Sequence, residues 1–341
     1  MMSTSTQSLG IGIIGCGRVV EKRVAPAMIA SARAKLVAFC SRDGSKARQF
    51  AESFGASAAY NDVSALLADD KVQAIYIAVP NAFHAELAIR CLQADRHVLV
   101  DKPMALSTQQ ALSMISASRQ SGKTLGLMHQ QRFHPVNQKL IKLIREGSLG
   151  RIHFVRAQMG FWYSLAENWR LSPELSGGGA AIDLAPHVLD ILLHAMGPIR
   201  SVDARCYDLH LHRGVEDLLT ARVEFASGAV GQLDFSYCFH HYGGRIEVYG
   251  SEGTFLADGS LQQADRYRLW QRRGSDDLPL EEGETPPCFR LILEDFADAV
   301  LSSRPPAVSM YDGLSTMNVI DALYASAKAR EEQHVDQSTI A

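Results

Sequence analysis

Asp183 and His187 stand four residues apart in the segment GGGAAIDLAPH (177–187), a spacing that places both side chains on one face of a helix. An imidazole beside a carboxylate can act as a general acid or base, because imidazole titrates near neutral pH. The alternative is that His187 is a buried histidine with ordinary hydrogen bonds. Asp190 can form an ion pair or a local cap, and Pro186 predicts that helical order begins late or is kinked. A metal ion bound by Asp183, His187 and Asp190 would need a further ligand, and the sequence offers no convincing one, so we expect no metal site.

A lysine follows the apolar run HVLV in the segment HVLVDKP (97–103). Lys102 therefore lies at the carboxyl end of a predicted buried strand, where open α/β sheets bind their ligands. Its ammonium can donate a hydrogen bond to a substrate oxygen and stabilise the negative charge that develops there. The alternative is a solvent-exposed lysine at a strand end, with no role in chemistry.

A glycine-rich turn, GCGRVV (15–20), follows the first apolar run and begins a predicted helix. In a dinucleotide fold, the first glycine permits the tight turn and the second lets the backbone approach a diphosphate at the helix N-terminus. Val20 replaces the third glycine of the usual pattern, so we expect a slightly wider separation of helix and strand, with binding retained. The alternative is a purely structural turn. The pattern predicts a cofactor site at Gly15, Gly17, Arg18 and Val19.

The end of the second predicted strand bears on the choice between NAD and NADP. An NAD site usually has an acidic residue there, which accepts hydrogen bonds from the ribose hydroxyls. In this sequence the position is occupied by Ser41, followed by Arg42 and, one turn into the next helix, Lys46. A hydroxyl and two cations match a 2′-phosphate, so we expect NADP to be preferred to NAD. The alternative is that Arg42 stacks on the adenine and Lys46 is a solvent-exposed helix charge.

Short apolar runs alternate with amphipathic segments as far as about residue 128, which indicates buried parallel strands separated by helices. The predicted strands are 11–15, 35–41, 74–80, 97–103 and 124–129, and the predicted helices include 45–54, 82–94 and 108–121. This alternation predicts an N-terminal, Rossmann-like, doubly wound parallel sheet, which we assign to residues 1–128 as the dinucleotide-binding domain.

The pattern changes after about residue 132, where a helix at 135–146 leads into alternating and aromatic runs. The predicted strands are 152–163, 201–209, 218–225, 229–237, 244–250 and 267–272, with helices at 179–196 and 312–330. Many such runs in series predict a large, mainly antiparallel open sheet in a C-terminal α/β domain, residues 129–341, for substrate binding and oligomerisation. The aromatic stretch Phe235–Tyr242 either lines an apolar pocket or is a strand in an interface, which we favour.

Length and composition indicate a two-domain protein that acts on small molecules. With 341 residues, a hydrophobic fraction of 47% and a formal net charge of −3, the chain gives no reason to expect nucleic acid as a partner. The apolar stretch 180–197 is interrupted by charged and imidazole side chains, so we expect no membrane span. The six cysteines form no CxxC pair, and residues 1–8 resemble a disordered tail rather than an export signal, so we expect a cytoplasmic protein.

The chain resembles the glucose–fructose oxidoreductase, inositol dehydrogenase and MocA (Gfo/Idh/MocA) family from about residue 9 to residue 329. The ordered set of motifs that carries the resemblance is GCGRVV (15–20), SRDGSKA (41–47), VPNAFH (79–84), HVLVDKP (97–103), ENWRLSPELSGGGAAIDLAPHVLD (167–190), IEVYGSEGT (246–254) and the segments EDFADAV and RPPAVSMYDGL within 294–314. The usual Glu-Lys-Pro of the family is Asp101-Lys102-Pro103 here.

The resemblance implies roles for these positions. It implies that Lys102, Asp183 and His187 are catalytic and also contact substrate, with His187 as acid or base and Lys102 orienting or polarising the substrate oxygen. Arg132, in the segment HQQRF, occupies a position that often contacts substrate in the family. The implied cofactor contacts, besides those of the glycine turn and of Ser41, Arg42 and Lys46, are Pro80, Asn81, His84, Asp101, Lys102, Trp169 and Arg170.

The expected activity is hydride transfer between NADP or NAD and a secondary alcohol or ketone of a sugar, a cyclitol or a related cyclic polyol. Two alternatives remain open on the sequence: an oxidoreductase of the dihydrodiol type or of another non-sugar ring, and a dinucleotide-binding regulator without catalysis. The resemblance also implies a homodimer or homotetramer formed through the large C-terminal sheet.

Overall fold

The computed structural model describes residues 7–164, 166, 168–261 and 266–336, with the backbone alone at 241–243. Residues 1–6 of the predicted N-terminal tail lie outside this range. The chain divides into two compact units. The first contains the described residues up to Ala105 together with Gln109–Gln130 and Pro287–Met310, and the second contains Leu106–Thr108, Gln131–Pro286 and the described residues from Tyr311 onward. The chain therefore passes between the units more often than the single division at residue 128 allows, and the function assigned to each domain stays a prediction.

The first unit is built on a six-stranded sheet. Its strands are β1 (Leu9–Ile14), β2 (Ala34–Cys40), β3 (Ala58–Tyr60), β4 (Ala74–Ile77), β5 (His97–Val100) and β6 (Leu125–Leu127). They lie in the order β3-β2-β1-β4-β5-β6, and every pair of neighbours is parallel. This order reverses direction between β1 and β4, which is the crevice where such sheets bind dinucleotides. The predicted doubly wound parallel sheet is thus confirmed.

The second unit is built on a nine-stranded sheet. Its strands are β7 (Ile152–Trp162), β8 (Ile199–Tyr207), β9 (Leu218–Phe225), β10 (Val230–Ser236), β11 (Cys238–Gly250), β12 (Gly253–Asp258), β13 (Arg266–Arg273), β14 (Asp276–Glu284) and β15 (Gln333–His334). The order is β14-β13-β12-β11-β7-β10-β9-β8-β15, in which β7 and β10 are parallel and all other neighbours are antiparallel. The prediction of a large, mainly antiparallel sheet is confirmed.

Ten α-helices cover the sheets in the part of the chain that the structure describes. They are α1 (Ala25–Ile29), α2 (Gly44–Phe54), α3 (Val63–Leu67), α4 (His84–Gln93), α5 (Thr108–Ser121), α6 (Pro135–Arg145), α7 (Pro173–Ser176), α8 (Ala180–Met196), α9 (Cys288–Leu301) and α10 (Met310–Ala329). Helix α8 packs on β7, β9 and β10, and most of its residues are buried. The stretch Pro173–Met196 is long and apolar enough to cross a membrane, but 78% of its most apolar window is buried inside the protein, as in a core helix.

Several elements differ from the prediction. Strands β3, β12, β14 and β15 and helix α9 were not expected. Strands β3 and β15 have only three and two residues, and β14 is mostly exposed, so these three strands have little apolar pattern. Helix α9 belongs to the first unit, where it contacts α1, β1 and β2. Helix α8 begins at Ala180, ahead of Pro186, so the expectation of a late start is wrong.

Candidate active site and cofactor site

The turn after β1 requires glycine at its first position. Gly15 has a φ of +110°, and a Cβ added there would lie 2.2 Å from the carbonyl oxygen of Ala78. Its amide donates to the carbonyl of Cys40 at the end of β2 (2.9 Å). Since an L side chain cannot occupy this space, Gly15 lets the chain turn sharply between the ends of β1, β2 and β4.

The second glycine fits a dinucleotide for a different reason. A Cβ added to Gly17 would meet no described atom of the protein within 4 Å, and Gly17 and Arg18 are exposed while Val19 is half-buried. The backbone is thus open to a diphosphate here, as the fingerprint requires. Val20 is completely buried, and the wide turn of a π-helix, Val20–Val24, begins at this residue. The wider spacing of helix and strand stays a prediction.

The acidic residue nearest the ribose end of the site is used as a helix cap. The carboxylate of Asp43 accepts from the amides of Ser45 (2.9 Å) and Lys46 (3.3 Å) and from the Ser45 hydroxyl (2.5 Å). The Ser45 hydroxyl is the main cause that lowers the pKa of Asp43, followed by these amides. The Oδ1 atom of this carboxylate therefore caps α2 by accepting amides at the helix N-terminus.

The cationic side chains expected at a 2′-phosphate lie beside this cap. Arg42 and Lys46 are both exposed, and the guanidinium carbon of Arg42 lies 5.8 Å from the centre of the Phe83 ring. Burial raises the pKa of the Cys16 thiol to about 11, and the charge of Lys46 opposes this rise. The Ser41 hydroxyl accepts from the amide of Asp43 (3.3 Å).

His84 connects two loops of the first unit. Its ring nitrogens lie 2.8 Å (Nδ1) from the carbonyl oxygen of Pro103 and 3.0 Å (Nε2) from that of Val79. The side chain is 1% exposed, and burial is the main cause that lowers its pKa. Asn81 is also buried, whereas Pro80 is half-buried. We therefore expect His84 to hold the loop after β4 against the loop that carries Lys102, and the direct cofactor contacts of these residues stay predictions.

The Asp101-Lys102 pair lies where the sequence predicted, directly after β5. The Asp101 amide donates to the carbonyl of Ile77 (2.9 Å), and its carboxylate accepts from the amide of Lys102 (2.8 Å). The hydroxyl of Tyr76 is buried near this carboxylate; burial, and then Asp101, raise the pKa of Tyr76 well above its ordinary value. The aspartate thus fixes the backbone of Lys102, whose side chain is half-buried.

In the second unit, Asp183 is held from two sides. Its Oδ2 atom accepts from the hydroxyl of Tyr237 (2.9 Å), and its Oδ1 atom lies 3.5 Å from Nε of Arg170. The guanidinium of Arg170 in turn stacks on the indole of Trp169, 4.5 Å from the ring centre. The carboxylate is therefore oriented within its own unit, and the predicted pair Trp169-Arg170 takes part in this arrangement.

Tyr237 is a site residue that the sequence reasoning did not identify. It is completely buried; burial, and then the carboxylate of Asp183, raise its pKa well above the ordinary value. The alternation of residues 229–237 was a usable signal, since Leu233 and Phe235 are buried in β10 and Tyr237, directly after that strand, continues the same alternation. Phe235 and Tyr237 are thus buried within the unit, and the interface that was favoured for the stretch 235–242 stays a prediction. The side chains of residues 241–243 lie outside the described range.

His187 follows Asp183 by one helical turn, and 7% of its surface is exposed. The structure therefore places the predicted imidazole and carboxylate on the same helix, α8, as their spacing indicated. Among the described residues, no group of three or more His, Cys, Asp or Glu side chains could hold a metal ion. The assignment of Lys102, Asp183 and His187 as catalytic stays a prediction.

Arg132 forms a buried ion-pair cluster. Its Nε donates to Oδ2 of Asp190 (3.0 Å), its Nη2 donates to Oδ1 of the same carboxylate, and Nη2 also donates to Asp312 (2.9 Å). Burial opposes the charge, but the two carboxylates outweigh it and raise the pKa of Arg132. Of the two roles that the sequence left open for Asp190, an ion pair or a local cap, the structure shows the ion pair. The geometry supports a structural role for Arg132, and its contact with substrate stays a prediction.

Comparison with known proteins agrees with this architecture. Residues 9–129 match a family described as an oxidoreductase family with an NAD-binding Rossmann fold, and residues 137–256 match the GFO/IDH/MocA C-terminal domain. The chain is 28% identical over 333 residues to D-xylose 1-dehydrogenase (NADP(+)) 2 of Haloferax volcanii, covering 95% of this chain and 99% of that protein.

Two further relatives extend the comparison. D-glucoside 3-dehydrogenase of Escherichia coli is 30% identical over 259 residues, which is 70% of this chain and 74% of that protein. The crystal structure of the aldose-aldose oxidoreductase from Caulobacter crescentus superimposes with a TM-score of 0.90 at 26% identity, covering 96% of this chain and all of that one. With both of its units matched, the chain belongs to the Gfo/Idh/MocA family of NAD(P)-dependent oxidoreductases.

Proposed function

We propose that this protein transfers a hydride between NADP and a secondary alcohol or ketone of a sugar, a cyclitol or a related cyclic polyol. The observation that carries the proposal is the carboxylate of Asp183, which Tyr237 and Arg170 hold on the helix face that also bears His187. A pre-oriented carboxylate beside an imidazole suits a substrate with several hydroxyl groups, because one group can bind a hydroxyl while the other moves a proton. The names of the relatives support the substrate class.

A bound nicotinamide would supply the hydride chemistry, and the glycine turn with Arg42 and Lys46 would hold the dinucleotide. His187 removes the hydroxyl proton in the oxidative direction and returns it in reduction. Lys102 donates a hydrogen bond to the same substrate oxygen and stabilises the charge that forms on it. Asp183 binds a neighbouring hydroxyl of the substrate. Proton transfer of this kind contributes about 10²- to 10⁴-fold to the rate.

The preference for NADP rests on the ribose end of the site. The carboxylate of Asp43 is engaged in capping α2, and the exposed residues beside it, Arg42 and Lys46, are cationic. A 2′-phosphate gains charge-assisted hydrogen bonds from these groups, each worth about 1.5–3 kcal/mol, or roughly 10- to 100-fold in affinity. NADH gains none of them.

One screen tests the activity and its residues together. The purified protein is offered aldoses, polyols, cyclitols and dihydrodiols with NADP or NAD, and the nicotinamide absorbance is followed. We expect His187→Ala and Lys102→Ala to lower kcat at least about 100-fold with the Kd of NADPH unchanged. His153→Ala, at an exposed position on β7, is the control and should keep the wild-type kcat. Tight NADPH binding without turnover of any substrate would contradict the proposal and favour a regulator.

A second measurement tests the cofactor preference. Arg42→Ala and Lys46→Ala should each raise the Kd of NADPH about tenfold or more and change that of NADH less than about threefold. Arg48→Ala removes the same charge from the opposite face of α2 and is the matched control. Equal losses for both cofactors would contradict a 2′-phosphate contact.

We also propose that the protein is cytoplasmic and forms a homodimer or homotetramer through the nine-stranded sheet, with no nucleic-acid or membrane partner.

A further inference from the structure

The N-terminus of α8 is closed by one residue from a distant loop. Glu216, between β8 and β9, accepts the amide of Gly179 on Oε2 and that of Ala181 on Oε1, both at 2.9 Å. Its backbone carbonyl accepts the amide of Ala180 (2.9 Å). The hydroxyl of Tyr324 accepts the next amide, that of Ile182 (3.2 Å), and donates to Oε1 of Glu216 (2.8 Å).

This arrangement satisfies every amide that a helix leaves unpaired at its start. A helix has about four such N–H groups, which are usually satisfied by a cap residue adjacent in sequence or by water. Here the cap position is Gly179, which has no side chain to offer, and the amide of Asp183 already bonds within the helix to the carbonyl of Gly179 (3.3 Å). Glu216 and Tyr324 therefore substitute for a local cap.

Gly178 and Gly179, directly ahead of α8, leave the space that Glu216 and Tyr324 occupy. A Cβ added to Gly179 would lie 1.8 Å from the carbonyl oxygen of Glu216, and one added to Gly178 would lie 2.2 Å from the hydroxyl oxygen of Tyr324. No side chain fits in either place. The glycine-rich segment is accordingly a packing surface for Glu216 and Tyr324, in contrast to the open turn at Gly17.

We propose that Glu216, with Tyr324, is a positioning residue that fixes the first turn of α8 and thereby the directions of Asp183 and His187. Asp183 lies one residue beyond the last of the four capped amides, so a change in that turn moves its carboxylate first. A displacement of about 1 Å in catalytic geometry can cost about 100-fold in rate. The proposal rests on the function proposed above, because it assigns Glu216 to the same site.

Two conservative variants test the role. Glu216→Gln keeps the shape of the side chain but turns one accepting oxygen into an NH₂ group that faces a backbone N–H, and Tyr324→Phe removes the hydroxyl alone. Both should lower kcat about 10- to 100-fold while the Kd of NADPH stays unchanged. Hydrogen exchange at the amides of residues 179–182 should be faster in both variants than in the wild type.

Asp217 provides a matched control, since it neighbours Glu216 and is a carboxylate that likewise accepts backbone amides. Its partners are Leu209, His210 and Leu211 in its own loop rather than the start of α8. We expect Asp217→Asn to lower the melting temperature but to leave kcat, measured well below that temperature, and exchange at 179–182 unchanged.

The outcomes separate the two proposals. A wild-type kcat in Glu216→Gln, or an equal loss of kcat in Asp217→Asn, would overturn the positioning role. If the wild-type enzyme turns over none of the sugars or polyols, the proposed function fails, and the exchange of amides 179–182 still decides whether Glu216 fixes the turn. Unchanged exchange in both Glu216→Gln and Tyr324→Phe would refute it.

Discussion

Removing the guanidinium of Arg132 is expected to lower the free energy of unfolding severely, whereas the protein that remains folded should keep its catalytic activity. The variant Arg132→Met keeps an unbranched apolar stem but leaves two carboxylates without their cation. The side chain of Asp190 is 1% exposed, whereas that of Asp312 is 25% exposed and can be hydrated. Most of the loss should therefore come from Asp190, which accepts from both Nε and Nη2 of the arginine.

Breaking a buried pair by removing one partner costs about 3–5 kcal/mol, because the remaining charge is buried without compensation. We expect this loss in the free energy of unfolding of Arg132→Met, measured with urea near pH 7. The double variant Arg132→Met/Asp190→Leu removes both charges and should recover most of the loss. Arg145→Met is the control, since Arg145 is at the exposed end of α6 and bonds only the carbonyl of His194 among the contacts described; it should cost less than about 1 kcal/mol.

The same variants decide between the structural and the substrate role of Arg132. A structural role predicts a lower free energy of unfolding with KM for the substrate nearly unchanged in the folded fraction. The reasoning is refuted if Arg132→Met unfolds within about 1 kcal/mol of the wild type while KM rises more than about tenfold. That result would show that the guanidinium serves the substrate rather than the ion pairs.

Three further outcomes follow from the geometry. Gly17→Ala should leave the free energy of unfolding within about 0.5 kcal/mol of the wild type but raise the Kd of NADPH about tenfold or more, which a thermal melt and a fluorescence titration measure together. Tyr237→Phe removes a hydrogen bond to a carboxylate, worth about 1.5–3 kcal/mol, so kcat should fall at least about tenfold with cofactor affinity unchanged; a normal kcat would contradict the orienting role of Tyr237 toward Asp183. Burial opposes the charge of Asp217, but the amides that its carboxylate accepts outweigh burial and lower its pKa. The ionised carboxylate therefore stabilises the folded protein above the unfolded pKa of about 3.9, and this stabilisation disappears as the pH falls through the folded pKa. Urea unfolding of wild type and Asp217→Asn should therefore differ at pH 7 and converge below about pH 4, and a constant difference across that range would contradict it.

The sequence was informative wherever one local pattern decides the structure. The glycine turn, the strand that precedes Lys102 and the helical spacing of Asp183 and His187 each depend on a few consecutive residues, and the structure has them where they were expected. The two sheet types were also predicted, because a buried parallel strand has a nearly continuous apolar run whereas a half-buried antiparallel strand alternates apolar and polar residues.

The partners of these residues were not predictable in the same way. Tyr237 lies 54 residues from Asp183, Glu216 lies 35 from Ala181, and Asp312 lies 180 from Arg132. No local period links such positions, because the contacts depend on how strands and helices are brought together. The capping role of Asp43 was also not identified from the sequence, although the amides that it accepts are only two and three residues away.

Helix α9 has a consequence for how this protein can be made and divided. It contacts α1, β1 and β2 of the first unit, and Phe296 comes within 2.9 Å of a Cβ added at Gly126 in β6. A gene fragment that ends at residue 128 therefore encodes the six strands and helices α1 to α5 but lacks α9, which also packs on this sheet. During synthesis, the nascent cofactor-binding half lacks this segment until about 300 residues have left the ribosome, and any domain exchange with a relative has to transfer residues 287–310 as well.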